Sequence, residues 1–254
     1  MRWRSYVAVG DSFTEGMNDI TPDGQMRGWA DLVAQRLAAQ QEDFRYANLA
    51  IRGRLFDRIV DEQVPAAVAM APDLVSFAGG GNDVLRRSLD ADALVTRFNE
   101  VVRLLRAAGA DVILFQWVDL TGRLPGRRLI LPRLQVLNHA VQEVGDRHGA
   151  LVVNLWDDQE FQNPLLWSDD RLHMSSVGHR RVAAHVLRRL GIEPDPTWLD
   201  SPGPAPRLRW TQARSQDLRW AQAHLVPWVK RRLAGTSSGD TISAKRPVLA
   251  PFSG

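Results

Sequence analysis

Short apolar runs alternate with longer segments of helical period along the first 190 residues. The short runs predict β-strands, and they span residues 6–9, 45–49, 74–77, 112–115 and 151–154. The longer segments each carry one apolar stripe, which predicts α-helices over residues 29–40, 93–108, 131–147 and 176–190. Because strands and helices alternate, the pattern predicts an open α/β sheet of five parallel strands with helices packed against it.

The pattern changes after residue 191, so the predicted α/β domain spans residues 1–191. Residues 192–209 hold five prolines within fourteen positions, which predicts a proline-rich linker. Residues 210–234 contain three tryptophans at helical spacing and predict an amphipathic helix, kinked at Pro227, that packs on the α/β domain. Attachment to a membrane surface is the alternative for such a helix. Residues 235–254 are rich in Gly, Ser and Pro and are predicted to be disordered.

Composition and charge exclude several classes of protein. No apolar run reaches about 18 residues, and the apolar run near the N-terminus is too short for a secretion signal, so we expect a soluble, cytoplasmic protein. The 32 basic and 29 acidic residues are interspersed, which argues against a nucleic-acid partner. The absence of cysteine excludes disulfides, a thiol nucleophile and thiolate metal sites. No oligomeric state is predicted.

Segments rich in glycine and polar residues follow four of the five predicted strands. They are G-D-S-F-T-E-G at residues 10–16, N-L-A-I-R-G at 48–53, G-G-G-N-D at 79–83 and D-D-R-L-H-M-S-S-V-G-H at 169–179. The carboxyl ends of parallel strands meet at one edge of a sheet, and open α/β sheets bind their ligands there. These segments therefore predict one functional site at that edge.

Ser12 directly follows the first predicted strand. A serine hydroxyl is a poor nucleophile near neutral pH and needs a base to take its proton. Asp170 and His173 are three residues apart, so in a tight turn the carboxylate can accept from one ring nitrogen and leave the other facing Ser12. The backbone N–H groups of Ser12 and Gly53 and the side-chain amide of Asn82 are candidate donors to a developing oxyanion.

These segments resemble the four sequence blocks of the GDSL, or SGNH, hydrolase family. The matching residues are G-D-S-F-T-E-G at 10–16, a glycine at 53, G-x-N-D at 80–83 and D-x-x-H at 170–173, and the resemblance covers about residues 5–190. It implies a flavodoxin-like three-layer α/β/α sandwich. It also implies hydrolysis of small-molecule carboxylic esters through an acyl-enzyme, with no metal and no other cofactor.

The same resemblance implies a role for each matching side chain. Ser12 is the implied nucleophile and one oxyanion donor, His173 is the base, and Asp170 orients that base. Gly53 and Asn82 are the other two implied oxyanion donors.

Five further positions belong to the same edge. Asp11 and Asp83 match family positions that brace the loops, and Phe13 stands where the family name has Leu, which keeps the position apolar. Trp117 and Trp167 follow the fourth and fifth predicted strands and are candidates for a substrate pocket, with core packing as the alternative.

Several alternatives stay open. The same catalytic residues would also serve an acyltransferase, and a non-catalytic module would use the crevice to bind a nucleotide, although the first turn lacks a G-x-G-x-x-G or Walker pattern. A metal site at Asp170 and His173 would need a third ligand, for which Asp169 is the candidate. The arginine-rich segment 122–133 is either a solvated loop or a pocket wall that favours an anionic substrate. His179 is expected to be structural or exposed rather than the base.

Overall fold

The computed structural model describes residues 3–86, 88–124, 126–206 and 209–252. Within these ranges six strands form one sheet, and they are β1 (Ser5–Gly10), β2 (Arg45–Asn48), β3 (Leu74–Ala78), β4 (Asp111–Gln116), β5 (Leu151–Asn154) and β6 (Arg246–Pro251). Their order is β5-β4-β3-β1-β2-β6, with β1 to β5 parallel and β6 antiparallel to β2. The order of the parallel strands is that of flavodoxin-like sheets. The predicted fold is confirmed, with a sixth strand added.

Helices cover both faces of the sheet. They are α1 (Ser12–Glu15), α2 (Trp29–Ala38), α3 (Phe56–Ala69), α4 (Ala91–Ala107), α5 (Arg127–His148) and α6 (Ser176–Arg189), followed by α7 (Trp210–Trp220) and α8 (Val226–Leu233). Successive side chains of a strand point to opposite faces, and β1 follows this rule. Tyr6 and Ala8 pack in one core with α2 and α6, whereas Val7 and Val9 pack in the other with α3, α4 and α5. Three layers result, with two hydrophobic cores.

Helix α3 lies where no helix is predicted, and proline explains the omission. Pro65 lacks the N–H that would continue the helical hydrogen bonding, so the sequence around it disfavours a helix. In the structure the Pro65 ring is exposed, while Phe56, Ile59 and Val64 are buried against the sheet. The apolar face thus outweighs the cost of the lost hydrogen bond. Helix α5 likewise starts at Arg127 rather than at residue 131.

The tryptophan-rich region forms two helices rather than one kinked helix. Between α7 and α8 lies a single π-helical turn, Ala221–Leu225. Pro227 has no N–H to donate to the carbonyl of residue 223, and the N–H of Val226 bonds the Ala221 carbonyl five residues earlier. The predicted distortion at Pro227 therefore takes the form of a π-turn just before the proline.

The C-terminal tail differs from its prediction. Residues 235–254 are predicted to be disordered, yet β6 lies within them and pairs with β2. Leu249 is buried, and the Arg45 guanidinium donates to its carbonyl oxygen at 2.7 Å. Pro247 and Pro251 donate no ladder hydrogen bond, but an edge strand tolerates such residues because one of its sides is unpaired. The prediction of disorder from composition is therefore wrong for the part of this segment that forms β6.

The proline-rich segment between α6 and α7 lies against the α/β domain. It contains a short 3-10 helix, Pro196–Leu199, and Arg181 of α6 donates to the Leu199 carbonyl at 2.7 Å. None of the helices in the described ranges combines the length and the apolar character needed to cross a bilayer.

Candidate active site

Ser12 stands at the sharp turn between β1 and α1. The Asp11 carboxylate accepts the Phe13 N–H at 3.0 Å and so caps the one-turn helix α1. Gly16 ends this helix at φ 89°, packed so closely against the backbone of residues 27–28 that a side chain there would collide with it. The turn therefore holds the Ser12 hydroxyl at the carboxyl edge of the sheet.

The three predicted catalytic side chains form one hydrogen-bonded chain. Ser12 Oγ lies 2.9 Å from His173 Nε2, and His173 Nδ1 lies 2.7 Å from Asp170 Oδ2. Asp170 and His173 share the loop before α6, as their spacing predicts. Both distances are those of hydrogen bonds that link a nucleophile, a base and the group that orients the base. The fold brings together residues that are 161 positions apart along the chain.

The Asp170 carboxylate is surrounded by hydrogen-bond donors. Its Oδ1 accepts from the N–H groups of Leu172 and His173, each at 2.9 Å, and from Ser168 Oγ at 2.8 Å, while its Oδ2 accepts from Asn18 Nδ2 at 2.8 Å. Burial raises the pKa of Asp170, but the hydrogen bonds and charge of His173 outweigh burial and hold that pKa well below its ordinary value. Asp170 is therefore ionised near neutral pH and requires a proton on Nδ1 of the imidazole.

The sequence alone does not single out Asn18 or Glu15. Asn18 adopts φ 71°, a left-handed conformation that Asn tolerates better than most residues, and this brings its amide to Asp170. Glu15 accepts the Arg52 N–H at 2.7 Å and pairs with the Arg52 guanidinium, which fixes the segment leading to Gly53. Glu15 lies within the G-D-S-F-T-E-G block, but its partner is visible only in three dimensions.

Two of the three predicted oxyanion donors are free to donate. Within the described ranges, the backbone N–H groups of Ser12 and Gly53 have no hydrogen-bond acceptor, and both residues line the same cavity. Gly53 adopts φ 71°, and a Cβ there would collide with Ser237 Oγ. The left-handed backbone conformation therefore favours glycine at this position, and a side chain there would also displace the Ser237 hydroxyl.

The Asn82 amide, the third predicted donor, is engaged in this structure. Its Nδ2 donates to Asp11 Oδ2 at 2.9 Å and to the Arg54 carbonyl at 3.0 Å, so donation to an oxyanion requires one of these bonds to be shared or released. Asp83 accepts the Phe56 N–H at 2.9 Å and so caps α3. Burial raises the pKa of Asp11 to about 7 and that of Asp83 to about 6. Asp11 thus links the turn after β1 to the loop of Asn82, and Asp83 links that loop to α3.

His179 lies beneath the site and takes no part in the hydrogen-bonded chain of Ser12, His173 and Asp170. It is 1% exposed, its Nδ1 accepts the Trp29 N–H at 3.3 Å, and its Nε2 donates to the Met17 carbonyl at 3.1 Å. Burial lowers the pKa of His179 to about 4. A neutral ring with both nitrogens committed to the backbone is structural. Asp169 is exposed, and no cluster of three metal-ligating side chains occurs in the ranges that the structure describes.

Two cavities meet at Ser12. The smaller has a volume of about 60 Å³ and is lined by Phe13, Trp117 and Trp167, so both predicted pocket tryptophans lie there. The larger has a volume of about 420 Å³, and α7, the π-turn and α8 supply much of its wall. Ser12, Asn82 and His173 border both cavities, so a carbonyl held at Ser12 would have a small compartment on one side and a large one on the other.

The arginine-rich segment 122–133 contributes apolar side chains to the larger cavity. Leu124 and Ile130 line it. Arg123 instead donates to the carbonyl oxygens of Phe161 and Gln162 and lies over the Trp167 ring. The described arginines of this segment therefore do not form a wall of the cavity, and no preference for an anionic substrate follows from them.

The fold is similar to that of several solved proteins, among them two esterases. A catalytic variant of Axe2, an acetylxylan esterase from Geobacillus stearothermophilus, superimposes with a TM-score of 0.63 at 21% identity, covering 78% of this chain and 97% of Axe2. TesA superimposes with a TM-score of 0.57 at 23% identity, covering 73% of this chain and 97% of TesA. The esterase EstA from Pseudoalteromonas sp. superimposes with a TM-score of 0.59 at 17% identity, covering 74% of this chain and 97% of EstA. At these identities the likeness shows the fold.

The family follows from the sequence match. The model of the GDSL-like lipase/acylhydrolase family matches residues 8–181, a range that includes every candidate catalytic and oxyanion residue and excludes α7, α8 and β6. No curated protein sequence matches the chain. The match spans well over half of the chain, so the chain belongs to the GDSL-like lipase/acylhydrolase family and is a carboxylic ester hydrolase.

Proposed function

We propose that the protein hydrolyses carboxylic esters through an acyl-enzyme formed on Ser12. The observation that carries the proposal is the continuous chain from Ser12 Oγ to His173 at 2.9 Å and from His173 to Asp170 at 2.7 Å, beside the free N–H groups of Ser12 and Gly53. A hydroxyl, a base and converging donors around one point are what acyl transfer requires.

The proposed reaction has two halves. His173 Nε2 takes the proton of the Ser12 hydroxyl as Oγ attacks the ester carbonyl, and the oxyanion is held by the N–H groups of Ser12 and Gly53 with the Asn82 amide. The intermediate collapses, the ester C–O bond breaks, and His173 gives its proton to the leaving alcohol. Water then gives a proton to His173 and attacks the acyl carbon, and the carboxylic acid leaves as Oγ recovers its proton.

Asp170 supports both halves through its position and charge. Its low pKa keeps it ionised, so it favours the imidazolium that forms in each step and keeps Nε2 aimed at Ser12. Asn18 and Ser168 hold the carboxylate in that orientation. Rigid support of this kind is what lets hydrogen-bonded groups act without rearranging during the reaction.

The decisive test is Ser12→Ala, assayed with 4-nitrophenyl acetate. Loss of the nucleophile should lower kcat by a factor on the order of 10⁴ or more. Ser88→Ala, at an exposed serine, is the matched control and should retain full activity. A serine-directed fluorophosphonate should label the wild-type protein at Ser12 alone. Substantial hydrolysis by Ser12→Ala, or labelling at another serine, would refute the assignment.

The size of the larger cavity favours a second candidate activity, the transfer of the acyl group to an alcohol. At about 420 Å³ it has room for an acceptor beside the acyl group, and the same acyl-enzyme would serve. Acetyl esters are the first donors to test, because the similar Axe2 is an acetylxylan esterase and the compartment of about 60 Å³ suits a short acyl group. Product analysis with increasing ethanol distinguishes the two activities. Ethyl acetate forming in preference to acetate, far beyond the ratio of alcohol to water, indicates a transferase.

A further inference from the structure

The larger cavity has two walls of different origin. The α/β domain contributes Leu85, Leu124 and Ile130, and the helices beyond the family match contribute Trp220, Leu225 and Trp228. Its volume of about 420 Å³ lies within the range of small-molecule sites, which are mostly apolar with a few placed polar groups. The cavity is continuous with the candidate catalytic residues, because Ser12 and His173 also line it.

Helix α7 is attached directly to the loop that carries Asp170. Trp220 Nε1 donates to the Asp170 carbonyl at 2.9 Å. The neighbouring Arg171 pairs with Asp217 at 2.8 Å and lies 4.9 Å from the centre of the Trp220 ring. The first wall-forming tryptophan is thus held by a hydrogen bond, a cation–π contact and an ion pair on adjacent residues.

The segment after α8 is attached on the opposite side of the site. Asp240 pairs with Arg54 at 3.2 Å and with Arg58 at 3.0 Å, next to the position where Ser237 packs on Gly53. Farther along, the Lys245 ammonium is enclosed by the carbonyl oxygens of residues 15, 26 and 27 and by the Asp31 carboxylate. The C-terminal turn of α7 and the segment after α8 are therefore both fixed to loops of the site, and the residues between them line the cavity.

The irregular backbone at the centre of this segment contributes to the cavity. The π-turn carries Ala223, His224 and Leu225 to the cavity wall, and Trp228 follows one turn later. A π-turn inserts one extra residue into the helical repeat and so changes the direction in which the residues after it point. In an uninterrupted α-helix the side chains of α8 would therefore face a different direction relative to those of α7. The distortion preceding Pro227 therefore allows side chains from both helices to face the same space.

We propose that α7, the π-turn and α8 form one wall of a binding site for a large apolar group of the ester, so that this chain prefers esters with a long hydrocarbon substituent. This inference rests on the proposed reaction at Ser12. The occupant is part of the substrate because the cavity opens onto Ser12 and His173, which places the ester carbonyl at Ser12, where the two cavities meet, and the hydrocarbon group in the larger cavity.

Two isomeric esters test the preference and locate the group. Ethyl octanoate carries the long chain on the acyl side and octyl acetate carries it on the alcohol side, with ethyl acetate as the short reference. Trp228→Ala should lower the ratio of kcat/KM for at least one long ester to that for ethyl acetate by about tenfold or more. Trp210→Ala, at a tryptophan of α7 that is 72% exposed and outside the cavity, is the matched control and should leave every ratio unchanged.

Leu225→Ala is a milder change in the same wall and should also lower the ratio of kcat/KM for the long ester to that for ethyl acetate. It tests the inference independently if Trp228→Ala does not fold. A drop confined to ethyl octanoate places the acyl chain in the cavity, and a drop confined to octyl acetate places the alcohol there. Unchanged ratios in both Trp228→Ala and Leu225→Ala, in folded protein, overturn the inference.

Binding without turnover separates this inference from the proposed chemistry. Ethyl octyl ether has no carbonyl to attack, and calorimetry should show that it binds the wild-type protein at least about tenfold more tightly than it binds Trp228→Ala. Equal affinity for the two proteins overturns the inference even if Ser12→Ala is inactive. Hydrolysis by Ser12→Ala overturns the proposed reaction while the ether measurement still reports on the cavity.

Discussion

Acid should destabilise this protein through His179, the buried histidine beneath the catalytic turn. In the folded state its ring is neutral, with Nδ1 accepting from the Trp29 N–H and Nε2 donating to the Met17 carbonyl. Protonation would place a second N–H against the Trp29 N–H, with a charge in a fully buried position. The Nε2–H of the charged ring still donates to the Met17 carbonyl, so the contact that protonation removes is the one with the Trp29 N–H.

The magnitude follows from the lowered pKa. In the unfolded chain the histidine has its ordinary pKa of 6.5, and in the folded protein burial lowers it to about 4. Between these two pKa values the unfolded state binds more protons than the folded state, so the free energy of unfolding falls as the pH falls through this window. Above the window His179 makes the free energy of unfolding no more dependent on pH. At about 1.4 kcal/mol per tenfold change in proton affinity, the loss is about 2 kcal/mol by pH 5 and about 3 kcal/mol by pH 4.

The assay is urea unfolding of the wild type and of His179→Gln at pH 7 and pH 5. Glutamine can accept and donate as the neutral ring does but cannot become charged, so the variant should lose about 2 kcal/mol less than the wild type over this interval. Other titrating groups, including Asp11 and Asp83, are common to both proteins and cancel in the difference. His139→Gln, at an exposed histidine, is the control and should behave as the wild type. Parallel pH dependence of the wild type and His179→Gln would refute this reasoning.

Two further predictions concern the charged groups around the site. Asp170→Asn should lower kcat/KM for 4-nitrophenyl acetate by a factor on the order of 10³ to 10⁴, because an amide no longer selects the imidazole tautomer that faces the serine. Asp169→Asn, at the exposed neighbour, should retain activity, and equal losses in the two variants would contradict the assignment. Lys245→Met should lower the free energy of unfolding in urea by about 3 kcal/mol, because it removes the ammonium that bonds the buried Asp31 carboxylate and leaves that carboxylate with Arg246 at 3.9 Å. Lys230→Met replaces the only other lysine, which is exposed, and a comparable loss there would show that the buried pair is not the cause.

Local pattern was sufficient for the framework of the fold. Each of the five parallel strands is a short apolar run, four of the helices that follow them carry one predicted apolar stripe, and both periodicities are properties of neighbouring residues. Helix α3 and strand β6 lie outside that rule because Pro65, Pro247 and Pro251 disfavour regular structure locally. In the fold, burial of the apolar face of α3 outweighs the hydrogen bond lost at Pro65, and Pro247 and Pro251 lie in an edge strand, where a missing N–H is tolerated.

The candidate site likewise has a part that the sequence determines and a part that it does not. The sequence by itself determined that Ser12, Gly53, Asn82 and the pair of Asp170 and His173 follow strands at one edge, because parallel strands present all their carboxyl ends on the same side of the sheet.

Only the tertiary structure decided which groups support and enclose those residues. Asn18 and Trp220 both contact Asp170, from 152 and 50 positions away along the chain. One wall of the larger cavity comes from α7, the π-turn and α8, a segment whose sequence pattern predicts only an amphipathic helix. Such pairings depend on where whole helices and loops pack, and packing is set by surface complementarity between distant segments, which no local periodicity encodes.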